Sequence, residues 1–112
     1  MDKLIGALSL CRKAGKLVMG FDPAAQSMAK GRAAALLLAA DLSEGSARRI
    51  TRLAQAAGLS PLRLPLTQRQ LLAVTPKPTG IFAVEDPGLA GLIASRLPGS
   101  DTPRTADDED SN

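Results

Sequence analysis

Residues 14–43 read AGKLVMGFDPAAQSMAKGRAAALLLAADLS, and the order of residue types in that stretch decides the fold class. Lys16 to Met19 is a short strand candidate that ends at Gly20. Asp22 and Pro23 form an N-cap and N1 pair, the usual opening of a helix. Ala24, Ala25, Met28 and Ala29 give that helix a small, close-packing face, and Gly31, eleven residues after Gly20, stops it. Ala33 to Ala40 is apolar throughout with no alternation, the pattern of a strand buried on both faces. Ser43 then caps the next helix. Strand, turn, helix, turn, strand and helix start follow one another within thirty residues. The N-terminus of the second helix presents backbone amides, the first place to look for a phosphate or RNA site.

The same reading extends in both directions. Asp2 can cap a first helix whose Leu4, Ile5, Leu8 and Cys11 share one face. Arg12, Lys13 and Lys16 gather at its C-terminal end, where the helix dipole favours cations, and Gly15 ends it. Downstream, Ile50, Leu53, Ala54 and Ala57 recur at helical spacing in a third helix, which Gly58 and Pro61 close. Leu62-Arg63-Leu64 is a short strand, and Thr67 caps a brief fourth helix carrying Leu71 and Leu72. Residues 74–80, VTPKPTG, form a loop stiffened by two prolines. Ile81 to Val84 is a second buried strand. Asp86-Pro87 repeats the cap-and-N1 device ahead of a last helix with Leu89, Leu92, Ile93 and Leu97 on one face. Pro98-Gly99 ends the domain. The order is αβαβαβαβα, which builds a central sheet with helices on both faces. No tandem repeat is present.

Composition bounds the function. The chain has 112 residues, one ordinary domain. A domain of this size hides roughly 60 to 70% of its unfolded surface and needs no metal or disulfide staple. The single cysteine, Cys11, excludes an internal disulfide and a cysteine zinc site, and fits the reducing cytoplasm. No histidine is present, which removes the commonest general base and metal ligand. The charged N-terminus does not have the pattern of a signal peptide. The longest apolar run, Ala33 to Ala40, is far short of a membrane span. Charge is divided unevenly: residues 1–97 carry 13 Lys/Arg and 6 Asp/Glu, a net of +7. Residues 98–112 carry Arg104 against Asp101, Asp107, Asp108, Glu109 and Asp110, a net of −4. The expected organisation is a basic domain over residues 1–97 and an acidic, disordered tail over 98–112. A basic domain calls for an anionic partner, nucleic acid first.

Catalysis finds little support. Cys11 lies on the apolar face beside Leu8 as core filler. Asp22, Asp41 and Asp86 stand at or near helix starts, where capping accounts for them. Glu85-Asp86 is a strand-to-helix junction. Gly20-Phe21-Asp22-Pro23 lacks the lysine of a P-loop and the glycines of a dinucleotide fingerprint. No cofactor, metal or enzymatic role is expected. The chain has two aromatics, Phe21 and Phe82, so base stacking on an aromatic row is excluded. Phe82 belongs to the core. Phe21 is either a hydrophobic staple ahead of the second helix, packing on Gln26 or its neighbours, or an exposed ligand contact. Lys13, Lys16, Lys30 and Arg32 flank the second helix. Arg48, Arg49 and Arg52 cluster on the third, either as a solvated basic face or as an anion site.

Leu8-Ser9-Leu10-Cys11-Arg12-Lys13-Ala14-Gly15-Lys16-Leu17-Val18-Met19-Gly20 resembles the opening of the bacterial YlxQ/YbxF branch of the kink-turn-binding ribosomal-protein superfamily. The resemblance continues through Ala29-Lys30-Gly31-Arg32-Ala33, Leu36 to Asp41 and Ile81 to Val84, covering residues 3–97. It implies a three-layer α/β/α sandwich with a mixed four-stranded sheet, and RNA binding in the ribosome or another ribonucleoprotein. The RNA-reading surface of that family joins the turn after the first strand to the loop before the last strand. Carried over, it places Gly20, Phe21, Asp22 and Gln26 in the site, with Lys77 closing it from the second loop. Lys13, Lys16, Lys30 and Arg32 would neutralise phosphate, and the Ala24 and Ala25 amides would contact it. The family's polar readers are replaced: Asp22 stands for Asn, Pro23 for Glu and Gln26 for Lys. Asp lacks the amide donor of Asn, and Pro23 lacks an N–H. The second loop keeps Leu71 but has Leu72 where a glycine is usual, and is about one residue short by that comparison. These changes point away from standard kink-turn recognition. The expected partner is structured RNA, ribosomal or otherwise non-coding, bound by a cytoplasmic monomer with no membrane contact. The alternative is a protein-interaction module on the same scaffold.

Overall fold

Two apolar strands lie side by side at the centre of the molecule. In the computed structural model, which describes residues 3–97, β2 (Ala35–Leu38) pairs antiparallel with β4 (Ile81–Val84). The expected Asp2 cap and acidic tail at 98–112 lie outside the described residues. β1 (Leu17–Met19) adds antiparallel to the other side of β4, and β3 (Leu62–Arg63) adds parallel to β2. The sheet is therefore mixed and four-stranded, in the order β1-β4-β2-β3. Alternate residues of the central strands feed two cores, as the two-residue period of a strand requires. Leu37, Phe82 and Val84 face α1 (Lys3–Lys13) and α4 (Pro87–Ser95). Leu36, Leu38, Ile81 and Ala83 face α2 (Phe21–Ala29) and α3 (Glu44–Ala56). This is the three-layer sandwich that the resemblance implies.

Local chemistry sets most of the boundaries. Ser43 accepts a hydrogen bond from the Ser46 amide at 3.3 Å and starts α3. Asp86 accepts from the Leu89 amide at 3.0 Å, with Pro87 in the first turn of α4. Thr67 and Gln70 cap reciprocally: the Thr67 amide donates to Gln70 Oε1 at 2.8 Å, and the Gln70 amide donates to Thr67 Oγ1 at 3.2 Å. The expected fourth helix is a single 3₁₀ segment, Gln70–Ala73. Buried Thr75 ends it, its hydroxyl lying 3.2 Å from the Leu71 carbonyl and 2.8 Å from that of Lys77. Leu71 is buried there and Leu72 is exposed.

The buried face of α3 differs from the expected one. Ala47, Ile50 and Ala54 turn inward, while Leu53 and Ala57 lie outside. Leu53 instead borders a shallow apolar groove with Ala25, Met28, Ala29, Ala56 and Ala57, where α2 and α3 meet. Three arginines act as clamps on backbone carbonyls: Arg12 on Val74, Arg63 on Ala39 at 2.9 Å and Arg96 on Lys3 at 2.8 Å.

Phe82 is the largest fully buried side chain, at the centre of the sheet. Phe82→Ala should cost about 3–5 kcal/mol in urea unfolding, whereas Leu72→Ala should stay within about 0.5 kcal/mol.

Candidate nucleic-acid interface

Strand register decides what meets at each end of the sheet. Met19 pairs with Phe82, Leu38 with Ile81, and Leu38 with Arg63. The ends of β1, β2 and β3 and the start of β4 therefore share one edge. Both α2 and α3 begin there, so the positive ends of two helix dipoles face the same side.

Gly20 joins β1 to α2 at this edge. Its amide donates to the Ile81 carbonyl at 2.9 Å, and its carbonyl accepts from the Ala24 amide at 3.1 Å. It is the N-cap of α2, with φ 104° and ψ 161°, a conformation essentially confined to glycine. This corrects the expected cap: Asp22 and Pro23 are the second and third residues of the helix, and Asp22 makes no capping bond. Continuing the chain straight out of β1 at Gly20 starts the helix two residues early. The correction carries to the amides. That of Ala24 is spent on Gly20, Ala25 falls within the helix ladder, and Pro23 has none. Phe21 and Asp22 carry the amides directed out of the helix end.

Facing this turn is the two-proline loop. Met19, Gly20, Phe21, Asp22 and Pro23 on one side, and Pro76, Lys77 and Thr79 on the other, enclose a groove of about 360 Å³. The loop is held from beneath. The Thr79 hydroxyl donates to the Lys77 carbonyl at 3.3 Å. Gly80 fits where any Cβ would lie 2.9 Å from Leu42 Cδ1. Asp41 accepts from the Gln68 amide at 2.9 Å, so its role is to tether a loop rather than to cap α3.

The structure thus brings together Gly20, Phe21, Asp22 and Lys77. Gln26, Lys30 and Arg32 line a smaller cleft further along α2, with Pro23, Ser27 and Glu85. Within that cleft the Ser27 hydroxyl donates to Glu85 Oε2 at 2.7 Å. Lys30 is nine residues beyond Phe21, about 13 Å along the axis at 1.5 Å per residue. Lys16 sits at the opposite edge of the sheet, its carbonyl accepting from the Glu85 amide at 2.8 Å. Lys13 borders a separate cleft with Ser9, Arg12, Ala73 and Val74.

One contact of this edge has no signal in the sequence pattern. The Arg49 guanidinium lies over the Phe21 ring, 5.0 Å from its centroid. Phe21 is the first residue of α2, half-buried against the α2/α3 core, and not a staple preceding the helix. Residues 21 and 49 belong to different helices, so only the packing of α3 on α2 reveals the pair. Met19, Pro76 and Thr79 were likewise invisible to motif reading, although the prolines marked the loop.

Nucleophilic chemistry has no foothold at Cys11. It is fully buried, and burial, reinforced by the nearby Asp86 charge, pushes its thiol pKa up from 9.0 to about 11. Among the described residues no cluster of His, Cys, Asp and Glu could hold a metal ion.

Gly20→Ala forces a side chain into the glycine-only region and should cost about 1–3 kcal/mol in stability. A thermal or urea melt measures it. For Cys11, the folded protein keeps a proton that the unfolded chain releases above pH 9, so stability is full below pH 9 and falls as pH rises toward 11. Cys11→Ala should flatten that part of a pH–stability profile.

No protein-family model matches the chain, and no curated protein matches it. Solved structures do. A protein of unknown function from Bacillus halodurans superposes with a TM-score of 0.77 at 16% identity, over 86% of this chain and 97% of that one. The 15.5 kD RNA binding protein of Giardia lamblia superposes with a TM-score of 0.66 at 14% identity, over 84% of this chain and 81% of that one. These similarities establish the shared α/β fold.

Proposed function

We propose that this chain is a non-catalytic RNA-binding protein that holds structured RNA at the edge where α2 begins, within a ribosome or another ribonucleoprotein. The observation that carries this reading is the groove between the Gly20 turn and the Lys77 loop. It joins outward-directed amides of a helix N-terminus to a cation, on a domain with a net charge of +7. Helix N-termini with a nearby lysine suit phosphate oxygens. The fold shared with the Giardia RNA binding protein supports the same reading. A cytoplasmic monomer is part of it.

The chemistry differs from that of an Asn-Glu-Lys reader. Asp22 is exposed at the groove and, when ionised, only accepts hydrogen bonds. Its RNA partners are donors: a ribose 2′-hydroxyl, or the exocyclic amines of guanine and cytosine. Phosphates are met by the Phe21 and Asp22 amides and by Lys77. RNA running along α2 then reaches Gln26, Lys30 and Arg32, and RNA that continues past the end of the helix reaches Lys16 and Lys13.

A second reading, a protein-interaction module, draws on the groove of about 200 Å³ between α2 and α3, lined by Ala25, Met28, Leu53 and Ala56 among others. Replacing Lys30 and Arg32 together separates the two. Loss of RNA affinity favours the first, and a protein partner retained in pull-downs favours the second.

In filter binding with structured RNA, Lys77→Ala should reduce the slope of log affinity against log salt by about one unit. Absence of any salt-dependent affinity in the wild type, together with failure to co-sediment with ribosomes, would sink the proposal.

A further inference from the structure

We infer that Arg48, Arg49 and Arg52 of α3 form a second phosphate-binding element of the same RNA site, with Phe21 as the positioning residue that ties it to the groove. The inference rests on the RNA-binding reading and adds a surface that the sequence left between two explanations.

The structure sorts the arginines by what they do. Arg12, Arg63 and Arg96 each donate to a backbone carbonyl and hold distant segments together. Arg48, Arg49 and Arg52 are all exposed, and among the described residues none has a carboxylate or carbonyl partner. They sit three and four residues apart, spacings at which like charges on a helix repel. The helix dipole does not explain them, since it favours cations in the last turn, and the last turn of α3 holds none. Glu44, the acidic residue in the first turn of α3, forms no ion pair with them among the described residues. Among the described residues no carboxylate pairs with this clustered charge.

One of the three cations, Arg49, is anchored to the proposed site. Arg49 lies 5.0 Å above the ring of Phe21, and Phe21 lines the groove that contains Lys77. Stacking on an aromatic face fixes the guanidinium plane and leaves its edge donors free for a phosphate. Arg52 follows one turn further along α3, on the same face as Arg49. The cations therefore run from Lys77 across the Phe21 turn to the exposed side of α3. An RNA backbone is a polyanion that can follow such a track, whereas a single small anion would meet only part of it.

The test is a titration of a fluorescein-labelled RNA hairpin with an internal bulge, using the full chain across a range of KCl concentrations. Replacing Arg48, Arg49 and Arg52 together by Ala should reduce the salt slope by about two to three units and weaken binding at least about tenfold. Arg49→Lys should restore most of the slope but not the full affinity, because the charge returns without the stacked fork. Phe21→Leu keeps an apolar side chain and should weaken binding about two- to fivefold when Arg49 is present, but not in the Arg49→Ala background. A triple variant with the wild-type slope, in a protein whose Lys77→Ala variant loses slope, overturns the inference and leaves the proposed function standing. A wild type with no salt-dependent affinity for RNA removes both. If polyglutamate binds the wild type but not the triple variant while the RNA slope is unchanged, the patch serves an acidic protein and the inference is wrong.

Discussion

The antiparallel pairing of β2 with β4 is the constraint on which the rest of the molecule depends. Seven of the eight residues in these two strands are buried, so neither strand has a solvent-facing side. Burying a strand on both faces takes its backbone out of water as well, and each N–H and C=O there needs a partner. The register Ala35↔Val84 to Leu38↔Ile81 supplies those partners across the centre, and β1 and β3 supply them at the flanks. Because β1 is antiparallel to β4 as well, β1 and β2 finish at the same edge. The helices that follow them must start there, and the loop into β4 must pass over them. The candidate interface is a geometrical result of this pairing.

The sheet also separates stabilising charge from available charge. Arg12, Arg63 and Arg96 are drawn into the fold through carbonyl clamps. Those on α3 are left on the surface, one of them stacked on an aromatic ring. Net charge alone does not make that distinction, because a guanidinium bound to a carbonyl still counts as +1. What matters for an anionic partner is whether the donors are free and share a surface.

Much of the fold was legible in the sequence. The unbroken apolar run at 33–40, the Ser43 and Asp86-Pro87 starts and the Thr67 cap each encode a local structure that needs no distant partner. These are short-range effects, and short-range effects survive in a linear pattern. The sequence pattern puts the start of α2 two residues late because an Asp-Pro pair signals a cap strongly, while Gly20 takes the cap for a long-range reason, its amide bond to Ile81. The inward face of α3 was rotated for a similar cause: Leu53 satisfies helical spacing, but α2 passes beside it and leaves it in a surface groove. At the site, the expected group of Gly20, Phe21, Asp22, Gln26 and Lys77 holds together except for Gln26, which lies in the smaller cleft along α2. The division of Lys13 and Lys16 from them was not, since it follows from strand direction. The Arg49–Phe21 contact was hidden for the same reason.

The central claim is that RNA engages the edge of the sheet where α2 and α3 begin. Nuclear magnetic resonance of the ¹⁵N-labelled chain, titrated with a bulged RNA hairpin, tests it most directly, because each backbone amide reports its own surroundings. The account predicts the largest shifts at Gly20, Phe21, Asp22, Lys77 and Thr79, with smaller ones along α3 around Arg49. Shifts concentrated instead at the opposite edge, around Gly15 and Lys16, or no shifts under low-salt conditions, would contradict it.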